Sequence, residues 1–294
     1  MPTPSEYLLD LGRAVLAPYA RLPGVACAAI TGSCTEGLSD NHSDLDTTVY
    51  YDAMPPEAEI RAVRERLGGG PVLWTIGAHA DGEFAEAYRL RGVEVQIGHT
   101  TVARWEHDLG RTLAGEDPAS PLHKAMTGTL ISIPVFGAER LEAWKARIRE
   151  YPEALRVAMV RHHLRFFAIW GVWERLAVRD ANLWFRQTLV DASFNLLGLA
   201  AGLSRRYFTP FQFKRAGAFI ATLDVAPPRL AERLEELWSL PPAAAAAALR
   251  SLVADAVALV ERELPEVDTA VCRRGLARRD EPWTAGNLDA QPLP

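Results

Sequence analysis

Val25-Ala-Cys-Ala-Ala-Ile-Thr-Gly-Ser33, a polar loop of ten residues, and then Asp44-Leu-Asp-Thr-Thr-Val-Tyr-Tyr51 decide the reading of this chain. The first stretch is a short apolar run of strand length that breaks at Gly32-Ser33. The second is rich in β-branched and aromatic residues and reads as a strand. Residues two apart on a strand point to the same side, about 6.5–7 Å apart along the chain. Asp44 and Asp46 therefore present neighbouring carboxylates, which repel unless a cation or a proton intervenes. Mg²⁺ takes hard oxygen ligands, commonly one or two carboxylates beside substrate phosphates. Glycine lets backbone approach an anion closely, and N–H groups with a serine hydroxyl suit phosphate oxygens. Gly32 and Ser33 thus supply a phosphate grip next to a metal grip, as phosphoryl-type transfer requires.

Working outward, residues 5–20 carry Tyr7, Leu8, Leu11, Val15 and Leu16 at helical spacing. Pro55-Pro56 opens a helix that Gly68-Gly-Gly70 stops. Val72–Ile76 reads as a strand, and Phe84–Leu90 with Val93–Ile97 flank Arg91-Gly92 as a hairpin. A helix runs from Thr101 to about Leu113. Beyond Ala138 the pattern turns helical, with one apolar stripe at Leu155, Met159, Leu164, Phe167 and Trp170. A second stripe holds Leu183, Thr188, Leu189, Ala192 and Leu196. Arg229–Leu240 and Ala243–Leu264 are further helices, the alanine run being good helix material. The expected organisation is α+β: a mixed sheet with flanking helices over 1–137, an all-helical part over 138–264, and an irregular tail over 265–294.

The run Thr31-Gly-Ser-Cys-Thr-Glu-Gly-Leu-Ser-Asp-Asn-His-Ser-Asp-Leu-Asp46 resembles the signature of the DNA polymerase β-like nucleotidyltransferase superfamily. That signature is a Gly-Ser pair followed about ten residues later by Asp-x-Asp. The Ser43-Asp44-Leu45-Asp46 form is similar to the antibiotic-modifying and small stand-alone branches. Tyr151-Pro-Glu-Ala-Leu155 and Arg206-Tyr-Phe-Thr-Pro-Phe-Gln-Phe-Lys214 resemble, less specifically, segments of the helical part of aminoglycoside and lincosamide nucleotidyltransferases. Thr47 stands where the family often has an apolar residue. The resemblance implies Mg²⁺, in two ions, and an NTP donor such as ATP. It implies transfer of AMP to a small-molecule hydroxyl with release of pyrophosphate. It also implies a third carboxylate on a later strand between apolar residues. Val93-Glu94-Val95 fits best, with Glu83 and Glu86 as competitors and Asp52 behind them. Asp44, Asp46 and Glu94 are then the catalytic and metal-binding set. Gly32, Ser33 and Lys214 are the nucleotide contacts.

Other residues carry a plainer reading beside the functional one. Lys214 is either a solvated helix lysine or a contact to NTP phosphates. Tyr207 is read as core rather than as a base-stacking ring. Asp191 is a helix-face charge paired with an arginine, or a contact to a cationic substrate. His162 and His163 are helix neighbours that diverge and do not chelate together. Trp170, Trp173 and Trp184 are read as core.

Composition narrows the partners. A formal net charge of -5 disfavours nucleic acid, whose binding is driven by clustered Lys and Arg. It agrees with a neutral or cationic acceptor. No stretch of eighteen uncharged apolar residues occurs, so no membrane partner is expected. The start lacks a basic segment and apolar run, and three cysteines fit a reducing cytoplasm. Two of those thiols are expected in the core and one on the surface. A protein side chain as acceptor and a non-catalytic nucleotide-binding module are the competing functions. A large helical part favours a dedicated small-molecule pocket over the first. Retention of three acidic positions argues against the second.

Overall fold

In this computed structural model residues 2–166 and 179–278 are described. They fall into two compact units, Met1–Pro152 and Glu153–Pro294. In the first, α1 (Pro4–Tyr19) starts where Thr3 and Glu6 cap each other. The Thr3 amide donates to Glu6 Oε2 at 2.7 Å, and the Glu6 amide donates back to Thr3 Oγ1 at 3.3 Å. Two otherwise orphaned N–H groups are thereby satisfied. Leu8, Leu11, Val15, Leu16 and Tyr19 form its buried stripe, and Tyr7 faces outward.

Six strands form one sheet in the order β3-β4-β5-β2-β1-β6. They are β1 (Val25–Thr31), β2 (Leu45–Tyr51), β3 (Val72–Ala78), β4 (Glu83–Leu90), β5 (Val93–Thr101) and β6 (Ile133–Phe136). β2 and β5 pair in parallel, and every other neighbouring pair is antiparallel. The expected hairpin is present: Leu90 pairs with Val93 across Arg91 (φ 52) and Gly92 (φ 85). Two positive φ values in succession are what a tight two-residue hairpin turn demands. In β2, Leu45, Thr47 and Val49 are buried while Asp46 and Thr48 are half-buried. In β5, Val95, Ile97 and His99 are buried while Glu94, Gln96 and Gly98 are half-buried. The buried set packs with α1 and with Ile60 and Val63 of α2 (Glu57–Arg66) in one core. Each fully buried aliphatic side chain there contributes about 1.5–3 kcal/mol. Thr47 is accommodated in that core because its hydroxyl donates to the Gln96 carbonyl at 3.0 Å.

The opposite face is covered only in part. Around Tyr50 it is closed by Trp105 of α3 (Val102–Leu113) and Trp144 of α5 (Ala138–Glu150), at ring separations of 5.8 and 4.7 Å. α4 (Leu122–Ile131) and the four-residue β6 precede α5. The boundary expected at 137/138 therefore falls one helix too early. Trp144 donates to Glu106 at 3.0 Å and Lys145 to the Ser132 carbonyl at 2.8 Å, so α5 is anchored in the first unit.

The second unit is helical: α6 (Glu153–His163), α7 (Asn182–Leu203), α8 (Ala216–Ile220), α9 (Leu230–Ser239), α10 (Pro242–Glu263) and α11 (Ala270–Ala277). Gly198 and Gly202 let α7 lie close against His163 and Met159 of α6. Leu155 and Met159 are buried as expected, and so are Thr188, Leu189, Ala192 and Leu196. Leu183 and Trp184 are not, at 86% and 51% exposed, so the core reading of Trp184 is corrected. Phe167, Trp170 and Trp173 lie outside the described residues. The tail is not irregular throughout. α11 is held by Arg250, which donates to the Leu276 carbonyl at 2.8 Å, and by Arg273 paired with Glu261. Residues 279–294 lie outside the described residues. Cys272 is buried like Cys27 and Cys34, so no thiol is at the surface. α10 is long and apolar enough to cross a bilayer by length and composition. Its charged residues are nevertheless engaged inside the unit, Asp255 with Arg233 at 2.7 Å and Arg250 with α11.

Candidate active site

The candidate site is the half-buried end of the sheet face opposite α1. β1 ends at Thr31, which pairs with Asp46 of β2. The chain then turns through Gly32, at φ 79 and ψ -164, a region essentially restricted to glycine. A Cβ at this position would collide with the Asp46 carboxylate. The glycine is therefore required twice, for its backbone and for the room it leaves. A single 3-10 turn, Ser33–Glu36, follows it. Thr35 closes that turn by donating its hydroxyl to the Gly32 carbonyl at 2.8 Å. Ser33 Oγ and Ser39 Oγ share a hydrogen bond of 2.9 Å, which fixes the serine at the mouth of the loop. Burial, with the Asp46 charge second, pushes the Cys34 thiol up to about 11, so it stays neutral beneath the turn.

The parallel pairing of β2 with β5 sets Leu45 beside Val95 and Asp46 beside Gln96. Asp44 and Glu94 consequently reach the same group. Gln96 Nε2 donates to Asp44 Oδ2 at 2.9 Å and to Glu94 Oε1 at 3.1 Å. Trp74 Nε1, from the edge strand, donates to Glu94 Oε1 at 3.1 Å. Gln96 and Trp74 escaped the sequence reading. The only signal was the i, i+2 spacing of Glu94 and Gln96, which has no meaning until the partner of β5 is known.

The structure places Asp44, Asp46, Glu94, Gly32 and Ser33 at one end of one face. It joins Asp44 to Glu94 through Gln96 and sets Asp46 against Gly32. Among the described residues no three His, Cys, Asp or Glu side chains are gathered as a metal-holding group. The donor set is nonetheless all hard oxygen, half-buried and on one face, which is the chemistry Mg²⁺ requires. The competitors for the third carboxylate go elsewhere. Glu86 is 5% exposed on the α1 side and is paired with Arg64. Glu83 pairs with Arg104 at 3.3 Å and sits beside Thr100, at the far end of β5. Asp52 pairs with Arg140 at 3.7 Å.

Lys214 is exposed on the connection before α8 in the second unit, not on a helix. Tyr207 is buried, which pushes its hydroxyl far above the ordinary range. Asp191 is exposed on α7. His163 is buried and shares a hydrogen bond with Asn195 Oδ1 at 3.1 Å, as a packed helix histidine does.

A family model described as a domain of unknown function (DUF4037) matches residues 122–214, about a third of the chain. That stretch excludes Gly32 through Glu94 and ends at Lys214. No curated protein matches the chain. Among solved structures, a nucleotidyltransferase-like protein from Exiguobacterium sibiricum 255-15 is similar at 16% identity. The match covers 96% of this chain and 84% of that one, with a TM-score of 0.46. Likeness at this level concerns the path of the chain, not its chemistry.

Proposed function

We propose that the chain is a Mg²⁺-dependent nucleotidyltransferase that moves AMP from ATP to a hydroxyl of a small, cationic, aminoglycoside- or lincosamide-like compound. The observation that carries this reading is the shared amide. Asp44, just before β2, and Glu94 of β5 converge on Gln96, and Asp46 lies against the Gly32 turn. Asp44, Asp46 and Glu94 would hold Mg²⁺, which when bound offsets charge on the triphosphate and on the reacting phosphoryl group. Gly32, by its open backbone, and Ser33, by its hydroxyl, hold the outer phosphates. Glu94 accepts the proton of the acceptor hydroxyl. That oxygen bonds to the α-phosphorus as the bond to the pyrophosphate oxygen breaks, and pyrophosphate leaves. The net charge of -5 suits a cationic acceptor.

The test is incubation with Mg²⁺, each NTP in turn, and a panel of hydroxylated aminoglycosides and lincosamides. Pyrophosphate release with a nucleotidyl mass gain on one compound is expected. A mass gain on protein alone moves the acceptor to a protein side chain. Nucleotide binding with no pyrophosphate release under any condition defeats the enzymatic reading.

A further inference from the structure

Gln96 holds a place in this site that no sequence motif gives it. Its Nε2 carries two hydrogens and spends both on carboxylates, one on Asp44 and one on Glu94. The orientation of the amide is fixed by charge. Turned over, the carbonyl oxygen would face two anions instead of the NH₂ group. The residue is itself fixed at the backbone, where its carbonyl accepts the Thr47 hydroxyl at 3.0 Å. Trp74 adds a second donor to Glu94 Oε1. On each carboxylate one oxygen is therefore engaged, Asp44 Oδ2 and Glu94 Oε1. No hydrogen bond reaches Asp44 Oδ1 or Glu94 Oε2 among the described residues. Those two oxygens remain for a cation, on carboxylates whose rotation is restrained.

We propose that Gln96 is a positioning residue, which holds Asp44 and Glu94 converged and singly engaged so that each presents one oxygen to a divalent cation. The inference rests on the reading of the site given above. Two carboxylates drawn together across neighbouring strands repel each other, and without a shared donor they swing apart into solvent. An amide between them lowers that repulsion without adding charge or competing as a ligand. Groups that hydrogen-bond to metal ligands typically alter metal affinity 10–100-fold when removed.

The experiment is a calorimetric titration of the full chain with Mn²⁺, without nucleotide. Wild type, Gln96→Met and Asp44→Asn are compared, with thermal melts run on the same samples. Methionine keeps the length and volume of the side chain but cannot donate. The expected result is binding by wild type, loss of binding in Asp44→Asn, and about 10-fold weaker binding in Gln96→Met. Equal affinity in wild type and Gln96→Met, with Asp44→Asn inactive in binding, overturns the role of Gln96 and leaves the site intact. Affinity that is absent in wild type, or unchanged in Asp44→Asn, overturns the site itself. If Gln96→Met does not fold, the wild-type protein labelled with ¹⁵N-glutamine decides. The Gln96 side-chain amide signals are expected to shift on Mg²⁺ addition and to stay slow in exchange with water. Signals that do not move overturn the proposal.

Discussion

The two faces of the central sheet carry similar side chains put to opposite uses. Toward α1, Glu86 is sealed against Arg64, and His99 is wholly buried between Phe84 and Tyr51. Burial raises the Glu86 carboxyl above its usual range, against the pull of Arg64. Burial, then the charges of His79 and Arg64, push the His99 imidazole down to about 3. Among the described residues, Glu86 Oε1 and His99 Nε2 have no hydrogen-bond partner there. On the other face Asp44, Asp46 and Glu94 are half-buried, and amide and indole N–H groups serve Asp44 and Glu94. Polar groups sealed under a helix are tied to folding. Polar groups gathered with donors at a half-buried end are accessible to a ligand. β2 and β5 supply both, because alternate residues of a strand leave on opposite sides.

Substitutions on each face sharpen or break that contrast. The largest effect is expected from Arg64→Ala, which leaves Glu86 buried and unpaired. Removing one partner of a buried pair costs about 3–5 kcal/mol. Denaturant unfolding measures it, and turnover per folded molecule should not change. A loss of turnover with stability intact would mean that this pair belongs to the site. Next is Asp46→Asn, which should leave the unfolding midpoint nearly unchanged, since one repelling charge is removed. Turnover should drop by at least about 100-fold, the scale for loss of one electrostatic stabiliser. Wild-type turnover with Mg²⁺ would break the assignment of this face to catalysis.

Gly32→Ala is expected to lower stability by about 1–3 kcal/mol, because the backbone there is open to glycine alone. The methyl group also presses on Asp46. Nucleotide affinity should fall with it, measured by calorimetry at a temperature where the variant is folded. Unaltered affinity would separate the turn from the phosphates. A pH slope, small per pH unit, comes last. His99 titrates near 3 when folded and near 6.5 when unfolded, so its contribution is complete above pH 6.5. Stability falls as pH drops from 6.5 through 3, by up to about 1.4 kcal/mol per pH unit from this one group. The slope of unfolding free energy between pH 6 and 4 should be shallower by about one proton in His99→Phe than in wild type. Parallel slopes would place the imidazole in a wetter setting than its burial indicates.

Much of the fold was legible. α1, α2, α3, the β4–β5 hairpin and the strands bearing Gly32 and the aspartates follow from local periodicity and turn residues. β6 escaped because four residues between two helices carry no period. α5 was assigned to the wrong part, since its helical pattern is the same whichever unit Trp144 packs in. α11 was missed in a stretch whose charges hide the burial of Cys272 and Val267. Glu94 was preferred to Glu86 because Val93-Glu94-Val95 fits the strand context best; the structure puts Glu86 on the other face, against Arg64.

What the sequence determined by itself was local: where strands begin and turn, that residues 44 and 46 share a side, and that glycine at 32 lets the backbone approach an anion. These are properties of chain geometry within a few residues. What the tertiary structure decided was pairing. β2 lies parallel to β5 although β3 and β4 intervene in the chain, and that register alone carries Gln96 between Asp44 and Glu94. Register is a long-range choice set by which face must be buried against α1, so no window along the chain contains it.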